Sequence, residues 1–227
     1  MSRVLDQVGP VIPARTVLVT GGTGYLGREL IAQLLARGHR VRAVVRPGGE
    51  KKLPPGTGIV IGDALVAESV RPHLAGVDTV VHLVGVAKPA PAKARQFREI
   101  DLVSIRATLH AIKESGLRPH LVYLSVAQPA PVMKAYVAVR AEGEAMIRAG
   151  GFDATCLRPW YVLGPGHRWP VLLMPIFALL RYLPPTRATA IRLGFVTRPQ
   201  MIRTLLGVVE TRPSGVRIVE VSEIKLS

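Results

Sequence analysis

Apolar residues along the chain fall into two alternating textures. Short continuous runs rich in Val, Ile and Leu recur at residues 16–20 ("TVLVT"), 40–46, 58–63, 78–85, 120–126 and 152–159. Between them lie stretches with apolar residues three and four apart. "GRELIAQLLARG" (27–38) places Leu30, Ile31, Leu34 and Leu35 on one helical face and stops at Gly38. Further helices are predicted at "SVRPHLAGV", near 96–115 and near 133–149. Strands that are apolar at every position are buried on both faces. Six of them separated by helices predict an α/β chain, a doubly wound parallel sheet.

The texture changes after Trp160. Prolines recur, and "PVLLMPIFALLRYLPP" is strongly apolar. The chain therefore divides into a leader at 1–15, a main domain at 16–160, a small apolar cap at 161–200, and a tail at 201–227. The tail carries a helix at 198–210 and a last strand at 215–221 that complete the main domain.

The first strand runs into "TGGTGYLG". Gly21, Gly24 and Gly27 are spaced by three, and Gly22, Gly24 and Gly27 fit the shorter G-x-G-x-x-G spacing. Bare backbone at these positions makes a tight turn, lets a phosphate approach the main chain and lets the helix pack on the strand. The free N–H groups and positive dipole end of the helix then receive a pyrophosphate. A glycine pattern alone is weak. This one follows a strand, opens an amphipathic helix and precedes a second strand, the context a dinucleotide site requires.

The end of the second strand should select the nucleotide. An acid there would hold a ribose 2′-hydroxyl, whereas an Arg accommodates a 2′-phosphate. Arg46 stands 19 residues after Gly27, with Arg42, Lys51 and Lys52 nearby and no acid before Glu50. The guanidinium fork suits a phosphate, so NADP(H) is favoured over NAD(H). A solvated Arg at a strand end is the plainer alternative.

"VTGGTGYLG", then Gly62-Asp63, "VDTVVHLVG", "LVYLSV", a Tyr-x-x-x-basic helix and "LRPWYVLGPG" come in the order of the short-chain dehydrogenase/reductases. The chain resembles their atypical and extended branch, which includes epimerase/dehydratase-like, NmrA-like and complex I accessory-subunit-like proteins. The resemblance spans about residues 16–166 and implies a Rossmann fold. It assigns the nucleotide to Gly21, Thr23, Gly24, Tyr25, Leu26 and Gly27. Asp63 and Ala64 fall at the adenine, Leu83, Val84 and Gly85 beside the adenosine ribose, and Pro159, Tyr161 and Val162 beside the nicotinamide.

The family pairs Tyr with Lys one helical turn later. The Lys holds the nicotinamide ribose and lowers the Tyr pKa, so that Tyr exchanges a proton with a carbonyl or alcohol. Here the match is Tyr136 and Arg140, in "YVAVR". A cation at about 4 Å is worth about 4 kcal/mol at an effective dielectric of about 20, roughly three pKa units. Charge activation survives the change to Arg, but the guanidinium is planar, longer and a different donor. Ser125 is the nearest hydroxyl to the family's Ser or Thr position, for which Val126 and Ala127 are the alternative matches. Asp101 lies near the place of an Asn in many extended members. A half-buried structural Tyr136 is the competing reading.

The chain has 227 residues and a net charge of +15, and 23 of its 30 basic residues are Arg. They are scattered, no block of five or six positives exists, and aromatics are only 5%. A single-strand binder would want stacking aromatics, so nucleic acid is not expected as a partner. The six histidines lack ligand spacing and no metal site is expected. His82 reads as a satisfied core histidine and Cys156 as an inert buried thiol. The single cysteine fits a reducing cytoplasm, and the first ten residues carry no secretory pattern.

The segment 167–187 carries an apolar core flanked by Arg168, Arg181 and Arg187. Three readings stay open: packing on the sheet edge, a wall for an apolar substrate, or contact with a membrane or protein partner. Two functions stay open as well. One is an NADP(H)-dependent oxidoreductase acting on an apolar carbonyl, quinone or isoprenoid-like substrate. The other is a dinucleotide-binding structural, sensor or assembly protein without turnover. The sequence carries no reading of the oligomeric state.

Overall fold

The computed structural model describes residues 13–165 and 184–227. Most of the leader (1–12) and the centre of the cap (166–183), including most of the 167–187 segment, lie outside the described residues.

The apolar runs form a seven-stranded, all-parallel sheet in the order β3-β2-β1-β4-β5-β6-β9. The strands are β1 (Thr16–Thr20), β2 (Arg40–Val45), β3 (Gly58–Ile61), β4 (Thr79–His82), β5 (His120–Leu124), β6 (Ala154–Arg158) and β9 (Val216–Glu220). Successive residues of one strand enter opposite cores. Val17 and Val19 of β1 pack on one side, where α1 (Tyr25–Ala36) and the helix Arg198–Glu210 contribute Leu30, Ile31 and Leu205. Leu18 packs on the other, where α2 (Ala67–Val70), α4 (Val103–Ser115) and α5 (Lys134–Ala149) contribute Val70, Ile105, Ile112 and Ile147. Each such residue, once fully buried, contributes about 1.5–3 kcal/mol. Burial on both faces is the physical reason for the unbroken apolar runs.

The strand order reverses at β1, which has β2 on one side and β4 on the other. A crevice opens beyond the carboxyl ends of the strands at such a point.

Four details depart from the sequence pattern. β3 is an edge strand, and with a neighbour on one side only it leaves Ile59 and Ile61 about half exposed. Tyr161–Leu163 (β7) and Phe195–Thr197 (β8) pair in parallel as a separate two-stranded sheet. At three residues each they are too short for periodicity to reveal. The helix expected from 96 to 115 is interrupted: a short α3 (Ala94–Gln96) passes through a π-helical turn, Phe97–Leu102, into α4. The tail also ends in an additional short helix, Val221–Leu226.

Candidate functional site: a glycine-loop cleft and a buried charge pair

The turn after β1 depends on Gly21, whose φ of +78° is left-handed. A Cβ there would lie 2.7 Å from the Leu83 carbonyl carbon, so the loop rests directly on the backbone after β4. At Gly27 a Cβ would run into the Gly21 carbonyl oxygen, which lets α1 close onto the turn. Gly24 caps α1 without any side-chain hydrogen bond. The first N–H groups of the helix are thus left for a ligand, as an anion site requires.

These elements border a cleft of about 510 Å3. Gly21, Thr23 and Gly24 form one wall and Leu83, Val84 and Gly85 another. Arg46, Asp63 and Ala64 line the end near β2 and β3, and Lys93, Gln96 and Ile100 line the far side. The Asp63 carboxylate accepts the Leu65 N–H at 2.9 Å, which fixes its turn. Arg46 is exposed and makes no side-chain ion pair among the described residues. Leu26 and Gly27 are buried in the first turn of α1, and Tyr25 lies under the Arg198 guanidinium, 5.4 Å from its ring centre. Pro159, Tyr161 and Val162 lie outside the walls of this cleft. Pro159 accepts the Ala127 N–H, and Tyr161 stands edge-on to Phe195. The donor-rich turn, the uncapped helix and the guanidinium at the mouth fit a dinucleotide.

Tyr136 is half-buried on α5, its ring centre 5.0 Å from that of Phe97. The Arg140 guanidinium carbon lies 5.3 Å from the same ring. Arg140 is buried, and three of its N–H donors are engaged: with Leu124 O at 2.8 Å, Val84 O at 3.3 Å and Asp101 Oδ1 at 2.6 Å. Asp101 is wholly buried, and its Oδ2 accepts the Val86 N–H at 2.9 Å. Burial pushes the Asp101 pKa up against the pull of Arg140. For Arg140 burial opposes the charge, but Tyr136, Tyr123 and Asp101 prevail and hold its pKa above the ordinary value.

The Ser125 hydroxyl donates to Glu144 Oε1 at 2.6 Å, in the interior. Glu144, fully buried, also receives Gln128, Arg148 and both Nε and Nη2 of Arg158. Burial alone would raise its pKa, but Arg158 and Ser125 hold it below the usual carboxylate range. Val126 and Ala127 are buried and offer no hydroxyl.

His82 is held by the hydroxyls of Thr20, Thr108 and Ser104 at 3.0, 3.1 and 3.2 Å. Burial, then Arg140, push its pKa down to about 3, so it stays neutral. Burial pushes the Cys156 thiol up to about 12. No cluster of metal-ligating side chains occurs among the described residues. A second cavity, of about 580 Å3, lies between the C-terminal ends of α4 and α5, lined by Leu109, Lys113, Met146 and Phe152. It shares no residue with the glycine loop.

Several residues named from the sequence line one cleft, whereas Glu144 and Arg158 were not singled out and Asp101 was given a position without a partner. Nothing in the local sequence marks Glu144, and only the β5-α5-β6 packing brings Arg158 to it.

With this geometry established, the comparisons with known proteins fit it. A family model described as NAD(P)H-binding matches residues 21–168. The chain belongs to that NAD(P)H-binding family. Ceramide reductase of Caulobacter vibrioides (strain NA1000 / CB15N) is 28% identical over 211 residues, covering 92% of this chain and 65% of that protein. A second relative, from Stigmatella aurantiaca, is 4-hydroxy-2-methyl-3-oxo-4-farnesyl-3,4-dihydroquinoline-1-oxide ketoreductase. It is 27% identical over 168 residues, 64% of this chain and 50% of its own length. The chain thus spans less than two thirds of both. Among solved structures, the Bordetella bronchiseptica enzyme WbmH in complex with NAD+ superposes with a TM-score of 0.68 at 19% identity, covering 93% of this chain and 79% of that one. Its likeness establishes the fold. Among the described residues no helix is long and apolar enough to cross a membrane.

Proposed function

We propose that this NAD(P)H-binding protein is an NADP(H)-dependent oxidoreductase acting on a small apolar carbonyl, quinone or isoprenoid-like substrate. The observation that carries the reading is Tyr136, whose hydroxyl has no hydrogen-bond partner among the described residues and whose ring lies over a buried guanidinium. The bound nicotinamide supplies the hydride. Tyr136 gives its phenolic proton to the substrate oxygen as the carbonyl is reduced, and takes it back in the reverse direction. Arg140 steadies the ring from below. Arg46 meets the 2′-phosphate at the mouth of the cleft, and the glycine turn with the start of α1 holds the pyrophosphate.

An apolar substrate is supported by the names of the relatives, a ceramide reductase and a ketoreductase of a farnesylated ring. The test is NADPH oxidation, followed by nicotinamide fluorescence, with long-chain ketones and short-chain quinones as probes. Turnover that disappears in Tyr136→Phe while NADPH binding persists supports the reading. Turnover that survives Tyr136→Phe sinks the assignment.

One observation favours a second reading, NADPH binding without turnover. The two groups that would assist Tyr136 are engaged elsewhere, Arg140 with Asp101 and Ser125 with Glu144. Tight NADPH binding with no oxidation of any probe would favour it.

A further inference from the structure

We infer that Asp101 is a positioning residue that acts on Tyr136 through Arg140, holding the guanidinium beneath the phenol in a charge-neutral pair. Its catalytic meaning rests on the reading of Tyr136 as proton donor.

The pair is built by local structure. A π-helical turn carries one more residue per hydrogen-bonded ring than an α turn and is uncommon. Here it spans Phe97–Leu102 and buries Phe97, Asp101 and Leu102. Asp101 thereby reaches the loop after β4, where both its oxygens accept: one from Arg140 Nη2 at 2.6 Å, the other from the Val86 N–H at 2.9 Å. Two acceptor oxygens mean an ionised carboxylate. Gly85 keeps the space open. A Cβ there would collide with Arg140 Nη2 and lie 3.1 Å from Asp101 Oδ1. The carbonyls of Leu124 and Val84 take two further N–H groups, so the fork is fixed in its plane.

Relative exposure of the two side chains is 0% and 3%, so water does not screen them and each compensates the other locally. Tyr136 consequently faces a neutral pair. A free cation one turn away, as Tyr-x-x-x-Lys would supply, is replaced by Arg140 with its own acid. The ionisable groups about the Tyr136 ring are Arg140 from its own helix, Asp101 from the π turn and Tyr123 from β5. Only the first two carry charge near neutrality.

The test is a pH titration of near-ultraviolet tyrosinate absorbance on the full chain, with the Tyr136→Phe difference isolating Tyr136. In Asp101→Asn the guanidinium loses its counter-charge, and the acid dissociation constant of Tyr136 is expected to rise about tenfold or more. Removing both charges, in Asp101→Leu with Arg140→Met, is expected to leave the Tyr136 midpoint at its wild-type position. A folded Asp101→Asn variant with an unmoved midpoint overturns the inference, as does a displaced midpoint in the doubly apolar variant. If Asp101→Asn does not fold, Asp101→Asn with Arg140→Lys carries the same expected rise, and its absence is equally fatal. No substrate enters the measurement. A failed titration therefore rejects the pairing, and a failed turnover assay rejects the Tyr136 reading, each independently.

Discussion

Around the glycine loop the donors point outward. The first N–H groups of α1 have no side-chain cap, Arg46 is exposed at the mouth, and the cleft between them is open. Around α5 the donors are turned inward. Arg140 is closed onto Asp101 and two carbonyls, and Ser125 and Arg158 are closed onto Glu144. Both regions sit at the carboxyl ends of the same parallel strands. One leaves its polar capacity to a ligand, and the other uses most of it to hold β5, α5 and β6 together. The proposed binding and the proposed chemistry are therefore carried by separate regions, and substitutions on the two sides are expected to fail differently.

The most severe break is on the loop side. Gly21→Val forces a β-branched side chain into the left-handed region and drives its Cβ into the Leu83 backbone. Conformational strain and overpacking together cost roughly 2–5 kcal/mol. The turn proposed to receive the pyrophosphate is lost with it. Isothermal titration is expected to show no NADPH binding in the folded fraction. Retained affinity would mean that the cleft does not use this turn.

Glu144→Ala tests the other side. It leaves Arg158 without its buried partner and Ser125 without an acceptor, a loss of about 3 kcal/mol that chemical denaturation would read directly. NADPH affinity is expected to stay at the wild-type level, because Glu144 does not line the cleft. The contribution of Glu144 depends on pH with a definite sign. Its folded pKa is depressed, with Arg158 and Ser125 overcoming burial. Its stabilisation is therefore fully present above the unfolded carboxylate value of about 4.3 and is lost as pH falls through the folded value. The stability gap between wild type and Glu144→Ala is expected to narrow on acidification. A constant gap would show that charge plays no part in the network.

The same contrast explains what could be read from the chain. The parallel sheet was legible because strands buried on both faces are built round continuous apolar runs, as β1 and β4 are, with only Thr16, Thr20, Thr79 and His82 at their ends breaking the pattern. The loop was legible because its chemistry is carried by backbone, and only glycine permits a left-handed Gly21 against Leu83 or the close packing of Gly27. The π turn was not legible, because Phe97–Leu102 has ordinary helical residue types and its extra residue leaves no compositional mark. Nor was the direction of the Arg140 fork. "YVAVR" puts a cation one turn from a phenol, but whether that cation is free depends on Asp101, which lies 39 positions earlier in the chain. Glu144 was hidden for the same reason, since its partners come from the loop after β5, from β6 and from its own helix. Local patterns specify backbone, whereas ion pairs between distant elements are decided by packing.

The smallest expected effect sharpens the loop side from within. Arg46 is exposed, so salt and water weaken whatever it contributes. A charge-assisted hydrogen bond to the 2′-phosphate is worth about 1.5 kcal/mol in that setting, close to tenfold in affinity. Arg46→Ala is expected to weaken NADPH binding by about that factor and to leave NADH binding almost unchanged, since NADH carries no 2′-phosphate to lose. The difference should shrink as ionic strength rises, which separates a phosphate contact from a general change in loop shape. Equal losses for both nucleotides would make Arg46 a part of the fold of the β2 end, and no loss for either would assign discrimination to Lys51, Lys52 or Arg42.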